Sequence, residues 1–130
     1  MLGIAELCAA NVMRDTKTGL VWQDSSESAN WKKRKTWDTA KAYCADLTLA
    51  GKSDWRLPTI KELQTIVDNR YHHTNIIKGF KHADPYPRHW SSTQYMSDDK
   101  VAWYVSFGDG ETRYSYKSKK MLVRCVRGKQ

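Results

Sequence analysis

Ser53-Asp54-Trp55-Arg56-Leu57-Pro58-Thr59-Ile60-Lys61-Glu62-Leu63 packs a loop, a turn and a helix start into eleven residues, and the fold reads outward from it. Pro58 fixes its own φ and pushes Leu57 towards an extended conformation, so no helix runs in from upstream. Thr59 then stands as an N-cap with Glu62 three residues on, a capping box that satisfies two orphan backbone donors. Ile60, Leu63, Ile66 and Val67 follow at helical spacing, which predicts a helix with one buried stripe ending near Asn69. Trp55 and Leu57 bring large apolar groups to the same junction, and Asp54 and Arg56 are expected to pair beside them. A motif this dense specifies a scaffold rather than a ligand.

The 130 residues suit one domain with a real core. Six Trp and seven Tyr against two Phe favour aromatics that pack on one side and hydrogen-bond on the other. A formal net charge of +8 points to nucleic acid, an acidic polysaccharide or an anionic surface, or else to a basic surface that only aids solubility. No stretch approaches the ~20 apolar residues of a membrane helix. Met1 to Met13 is mildly apolar, but Glu6 interrupts it and no basic leader precedes it, so it does not read as a signal peptide. A leader removed upstream stays open.

Cys8, Cys44 and Cys125 form no CxxC pair and sit beside no His at zinc spacing. Cys44 falls on the apolar stripe of a helix and Cys125 in an apolar strand, which suits either two inert thiols or one long-range disulfide. Were they bridged, chain entropy would contribute roughly 4–5 kcal/mol. Cys8 is then free or intermolecular.

In chain order, Val12 to Asp15 reads as a strand, Thr16 to Gly19 as a turn and Leu20 to Gln23 as its partner strand. Asp24 to Asn30 is polar and Ser-rich, expected as a surface loop. Lys32-Lys33-Arg34-Lys35 follows beside Trp31. Thr36 is placed to cap a helix from Trp37 to Leu47, with Trp37, Ala40, Cys44 and Leu47 buried. Arg70 to His89 is a long irregular piece, of the kind that is functional or mobile. Beyond it, Trp90 to Thr93, Val101 to Phe107 and Thr112 to Lys117 read as strands, with Gly108-Asp109-Gly110 a hairpin turn. Met121, Val123 and Cys125 are expected to turn inward and close one antiparallel sheet. Two helices on a meander completed by an N-terminal hairpin make an α+β domain.

Seven ordered motifs then carry a resemblance: Thr18-Gly19-Leu20-Val21-Trp22-Gln23, Thr36-Trp37 with Ala42-Tyr43-Cys44, Ser53 to Thr59 with Lys61-Glu62-Leu63, Trp90-Ser91-Ser92-Thr93, Ala102-Trp103-Tyr104-Val105, Phe107 with Asp109-Gly110, and Val123-Arg124-Cys125-Val126-Arg127. From about Val12 to Arg127 the chain resembles the DUF1566 family, the domain at the C-terminus of the Legionella collagen-like adhesin. The resemblance implies a C-type lectin-like fold: two helices packed on a twisted antiparallel sheet. It divides the chain into an N-terminal extension, 1–11, and a domain, 12–130. It implies a bridge between Cys44 and Cys125, and a secreted, periplasmic or cell-surface location. The adhesin it names binds sulfated glycosaminoglycans and assembles as a trimer, which implies a homo-oligomer here. Calcium-dependent lectins carry a Glu-Pro-Asn or Gln-Pro-Asp and a Trp-Asn-Asp tripeptide. Neither occurs in this chain.

Several groups of residues stand as candidate sites. His72-His73 with His82 or His89 and Asp84 could bring imidazoles to a metal, but the spacing matches no ligand pattern, and solvated loop residues are the plainer reading. Asp98 and Asp99 with Asp109 could hold a calcium between hairpin loops, although turn aspartates are common without metal. Lys32 to Lys35 precede a helix N-terminus, where cations gain nothing from the dipole, so a ligand becomes a better explanation of the run. Lys117-Ser118-Lys119-Lys120 either blunts a sheet edge or binds anions. Arg113 and the tyrosines beside it either pack or stack on sugars or bases. The expectation is a non-catalytic module binding an anionic, sulfated polysaccharide or cell-surface glycan through Arg113, Lys117, Lys119 and Lys120, joined by Lys78, Lys81 and Arg88. The alternative is a structural or oligomerisation module. Nucleic acid is disfavoured because a disulfide places the chain outside the cytosol.

Overall fold

The capping box forms as the sequence requires. Thr59 Oγ1 accepts the Glu62 N–H at 3.2 Å, and Glu62 Oε1 accepts the Thr59 N–H at 2.9 Å. This computed structural model describes residues 11–68, 76–77, 79–82 and 88–128. The Glu62 carboxylate also takes both terminal nitrogens of Arg56, each at 2.7 Å, so Arg56 does not pair with Asp54. Asp54 instead accepts Arg127 at 2.6 and 3.0 Å. The cause is the backbone: Arg56 and Val126 exchange two hydrogen bonds of 2.9 Å, which lays the chain of Arg127 alongside Asp54.

Helix α1 spans Trp37–Asp46 and buries Trp37, Ala40 and Cys44, with Leu47 half-buried just past its end. Thr36 holds the N-cap position, but its hydroxyl bonds Thr39 Oγ1 at 3.0 Å rather than a backbone N–H. Helix α2, Ile60–Gln64, is shorter than predicted. Thr65 turns its hydroxyl back onto the Glu62 carbonyl at 2.6 Å, and the next N–H groups bond three residues back, tightening the turn. Ile66 stays buried, while Val67 leaves to pair with Ile76. The predicted end at Asn69 lies outside the described residues.

Among the described residues six strands form two sheets where one was expected. β1 (Val12–Arg14), β2 (Val21–Gln23) and β6 (Val126–Arg127) pair in the order β1-β2-β6. β3 (Arg88–Gln94), β4 (Val101–Ser106) and β5 (Glu111–Tyr116) pair in the order β3-β4-β5. Within both sheets the strand pairs are antiparallel. The α+β expectation therefore holds as two small antiparallel sheets with few helices. The closing segment does not belong to one sheet because its partners change along its length. Met121 pairs with Lys35, Leu122 with His89 in parallel, and only Val126 and Arg127 join β2. With neighbours on every side, all six residues from Met121 to Val126 are buried.

Asp24 to Asn30 is no simple surface loop. It contains a 3-10 turn, Ser26–Ala29, and Asp24 and Ser28 are buried. Two apolar clusters result. One gathers Trp37, Cys44, Trp55, Trp90 and Tyr104 around Met121, Val123 and Cys125. The other gathers Trp22, Leu63, Ile66, Val105, Phe107 and Val126.

Cys44 and Cys125 are bridged, with Cα atoms 5.6 Å apart across 81 positions of sequence. Cys8 lies outside the described residues. Reducing this bond, or Cys125→Ser, is expected to lower stability by about 2–5 kcal/mol, read as a lower urea midpoint. A second expectation concerns acid. Burial pushes the Glu62 carboxyl up, but the Arg56 hydrogen bonds and the Thr59 N–H outweigh it, leaving the group below its ordinary value. A depressed carboxyl contributes stability above the unfolded pKa and loses it as pH falls through the folded one. Glu62→Ala should therefore cost about 2 kcal/mol at neutral pH, and the gap from wild type should close as pH falls below the ordinary glutamate range. A gap independent of pH would show that the carboxylate charge plays no part.

Candidate functional site

The two basic runs, far apart in sequence, meet in the fold. Lys35 N–H donates to the Met121 carbonyl at 2.7 Å and Met121 N–H to that of Lys35 at 2.9 Å. Trp37 N–H donates to the Lys117 carbonyl at 3.0 Å. On the other side of the same segment, Leu122 N–H donates to the Arg88 carbonyl at 3.0 Å. Residues 119–122 thus run between Lys32–Lys35 and the start of β3. Lys32, Lys33, Arg88, Lys119 and Lys120 are all exposed, and Trp31 beside them is 52% exposed.

Not every cation of this region faces solvent. Lys117 is half-buried; its Nζ donates to Gln94 Oε1 at 2.8 Å and the Asp99 carbonyl at 2.6 Å, and lies 4.1 Å from the Trp37 ring centre. Lys41 stands over the same ring at 4.5 Å. Lys35 Nζ donates to the Lys33 carbonyl at 3.0 Å and sits over Tyr43 at 4.5 Å. Burial lowers its pKa, Glu27 opposes this and Lys33 adds to it. Burial raises the Tyr43 hydroxyl, against the hydrogen bond from Gln23. Arg34 lies over Trp31 at 5.4 Å and donates Nε to its carbonyl at 2.8 Å.

The remaining candidate residues are dispersed. Arg113 is exposed and pairs with Asp109 at 2.8 Å, each pushing the other's pKa towards its charged form. Arg88 lies over Tyr104 at 5.8 Å. Lys81 is held by its backbone, whose N–H donates to Asp24 Oδ2 at 2.8 Å, far along the chain from Lys117. Lys78, His72, His73 and Asp84 lie outside the described residues. His82 N–H donates to Asp24 Oδ1 at 2.8 Å, and buried His89 meets the Ser28 carbonyl at 3.2 Å through Nε2. Asp98 and Asp99 precede β4 while Asp109 follows it, so a six-residue strand of about 20 Å separates them and they cannot share a calcium. Among the described residues no group of three or more His, Cys, Asp or Glu converges.

Arg124 is buried, against the alternation of its segment. Its neighbours Val123 and Cys125 were expected inward, which by alternation sends Arg124 out; it is instead fully buried. Nη1 donates to the Gln23 carbonyl at 2.7 Å and Nη2 to the His82 carbonyl, Asp24 lies 3.7 Å away, and Phe80 stacks at 4.5 Å. No local pattern signals this, because Asp24 and residues 80–82 are supplied from remote parts of the chain.

The profile of the Lcl C-terminal domain matches residues 11–127. The chain belongs to that family. This is the domain of the Legionella collagen-like adhesin expected from the motifs. Comparison with curated proteins gives no match. Within this Lcl C-terminal domain no helix among the described residues is long and apolar enough to cross a membrane.

The geometry separates two kinds of lysine. Lys117→Ala should lower stability by about 1–2 kcal/mol, through the lost ring contact and two hydrogen bonds. Lys119→Ala and Lys120→Ala should stay within about 0.5 kcal/mol of wild type. Thermal melts of the three variants decide it, and a neutral Lys117→Ala would contradict the structural role.

Proposed function

We propose that this domain is an extracytoplasmic, non-catalytic module that binds an anionic, sulfated polysaccharide or a cell-surface glycan. The observation that carries the reading is the meeting of Lys32–Lys35 with Lys119–Lys120 and Arg88 along one backbone segment. Lysine and arginine stay protonated at neutral pH and attract sulfate or carboxylate rather than exchange protons. The binding surface therefore centres on Lys32, Lys33, Arg88, Lys119 and Lys120, while Lys117 and Arg113 serve mainly the scaffold through their internal partners. Membership of an adhesin-domain family supports a surface partner. The disulfide supports an oxidising compartment. The same reading takes the fold as C-type lectin-like, since the bridge ties α1 to the closing segment. It takes the assembled form as a homo-oligomer, in which repeated weak contacts multiply.

An exposed cation pair contributes at most about 1 kcal/mol, so single substitutions should do little. Lys32→Ala, Lys33→Ala, Lys119→Ala and Lys120→Ala combined should weaken binding to heparin or dextran sulfate several-fold or more. Salt of about 0.5 M should abolish most of it. If the fourfold variant, shown folded by circular dichroism, elutes from heparin with wild type, the structural or oligomerisation reading replaces this one.

A further inference from the structure

The other face of β4 and β5 carries a feature unlike the basic surface. Trp103 pairs across the strands with Tyr114, and Val101 with Tyr116, on the side where α2 packs. Helix α2 covers only one end of that side. Leu63 and Ile66 cluster with Val105, and Gln64 Nε2 donates to Thr112 Oγ1 at 3.0 Å. Beyond Thr112 the face is open, and Tyr114 and Tyr116 are 53% and 58% exposed. Tyr95, just past β3, stacks on Tyr114 with centres 4.4 Å apart and planes at 28°. Trp103 meets Tyr114 edge-on at 5.2 Å and Tyr95 at 5.6 Å. The three rings fix one another, so their orientation is set before any ligand arrives. Beside them lies a depression of about 300 Å³ lined by Tyr95, Asp98, Val101, Tyr114, Ser115 and Tyr116.

We propose that this depression is a binding subsite for the pyranose ring of an uncharged saccharide. The walls are flat and aromatic, while the rim is polar: tyrosine hydroxyls, Ser115 and the Asp98 carboxylate. A partner must therefore offer a flat C–H face and, around its edge, hydrogen-bond donors. A pyranose has both. A wholly apolar partner would strip water from the tyrosine hydroxyls, Ser115 and the Asp98 carboxylate, whose Oδ1 accepts only the Lys100 N–H at 2.9 Å, and would offer no hydrogen bond in return. A caged ammonium is excluded between Tyr95 and Tyr114, whose rings already touch. The site needs no charge on its ligand, so it stands apart from the anion-binding reading. A neighbouring depression of about 390 Å³, lined by Lys100 and Lys117, shares Tyr116 with it.

The test titrates the whole chain with hexasaccharides of α-1,4-glucose, β-1,4-glucose and β-1,4-N-acetylglucosamine, by calorimetry in about 0.5 M salt, where ionic contacts are screened. At least one should bind. Tyr116→Ala should weaken it about tenfold, the loss of one stacked ring. Tyr116 lies outside the three-ring stack, so this variant leaves the scaffold intact. Tyr116→Phe should keep most of the affinity, and Lys119→Ala with Lys120→Ala should change nothing. Absence of binding by all three sugars overturns the proposal, as does binding that survives Tyr116→Ala. Self-association abolished by Tyr116→Ala, or salt-resistant binding of single-stranded DNA at this face, would assign the surface to another occupant and equally overturn it. A wild-type chain that binds a sugar but not heparin at low salt would count against the anionic reading alone.

Discussion

Met121 to Val126 touches the basic run, β3, β2 and the organising motif in turn, and the Cys44–Cys125 bond fixes it to α1. Its partners change along its length because no single strand could satisfy so many neighbours. Gln23 shows how closely the contacts are drawn. Its N–H donates to the Cys125 carbonyl at 2.9 Å, and its side-chain oxygen accepts the Cys125 N–H at 3.0 Å. Polar groups buried this deeply are tolerable only when paired, and here the backbone of one segment pairs with the side chain of another.

Arg124 extends the same logic to a charge. A guanidinium without solvent is costly unless its protons and its charge are met. Two carbonyls, Asp24 and the face of Phe80 meet it. Asp24 in turn accepts the N–H groups of Lys81 and His82. Residues 80–82 are thereby fastened from inside. Removing either charged partner alone would strand the other, whereas an apolar pair of matching shape need not destabilise the domain.

Local signals are legible in the sequence because they act over a few residues. The Thr59–Glu62 box, the α1 stripe and the β4–β5 hairpin each depend on neighbours within one turn or one strand pair. The sequence misleads where a distant segment intervenes. Alternation at Val123, Arg124 and Cys125 presumed one buried face, but both faces are covered. Asp54 pairs with Arg127 rather than Arg56 because Arg127 arrives through backbone pairing across the chain. Both basic runs are visible in the sequence as charge, but their meeting depends on backbone pairing between distant segments, Lys35 with Met121 and Trp37 with Lys117. The ring stack has no local signal, because nothing near Tyr95 in sequence places it against Tyr114.

The pairing of β2 with β6 joins the two ends of the domain in sequence. A ribosome delivers β1 and β2 early and the residues that complete their sheet last. Until Cys125 emerges, the aromatic cluster around Trp37 and Trp90 lacks the segment that fills it. Topologies dominated by such distant contacts fold slowly and expose apolar surface while they wait. Synthesis and folding of this domain are therefore separate events, and an interval exists in which a chaperone can hold the chain open.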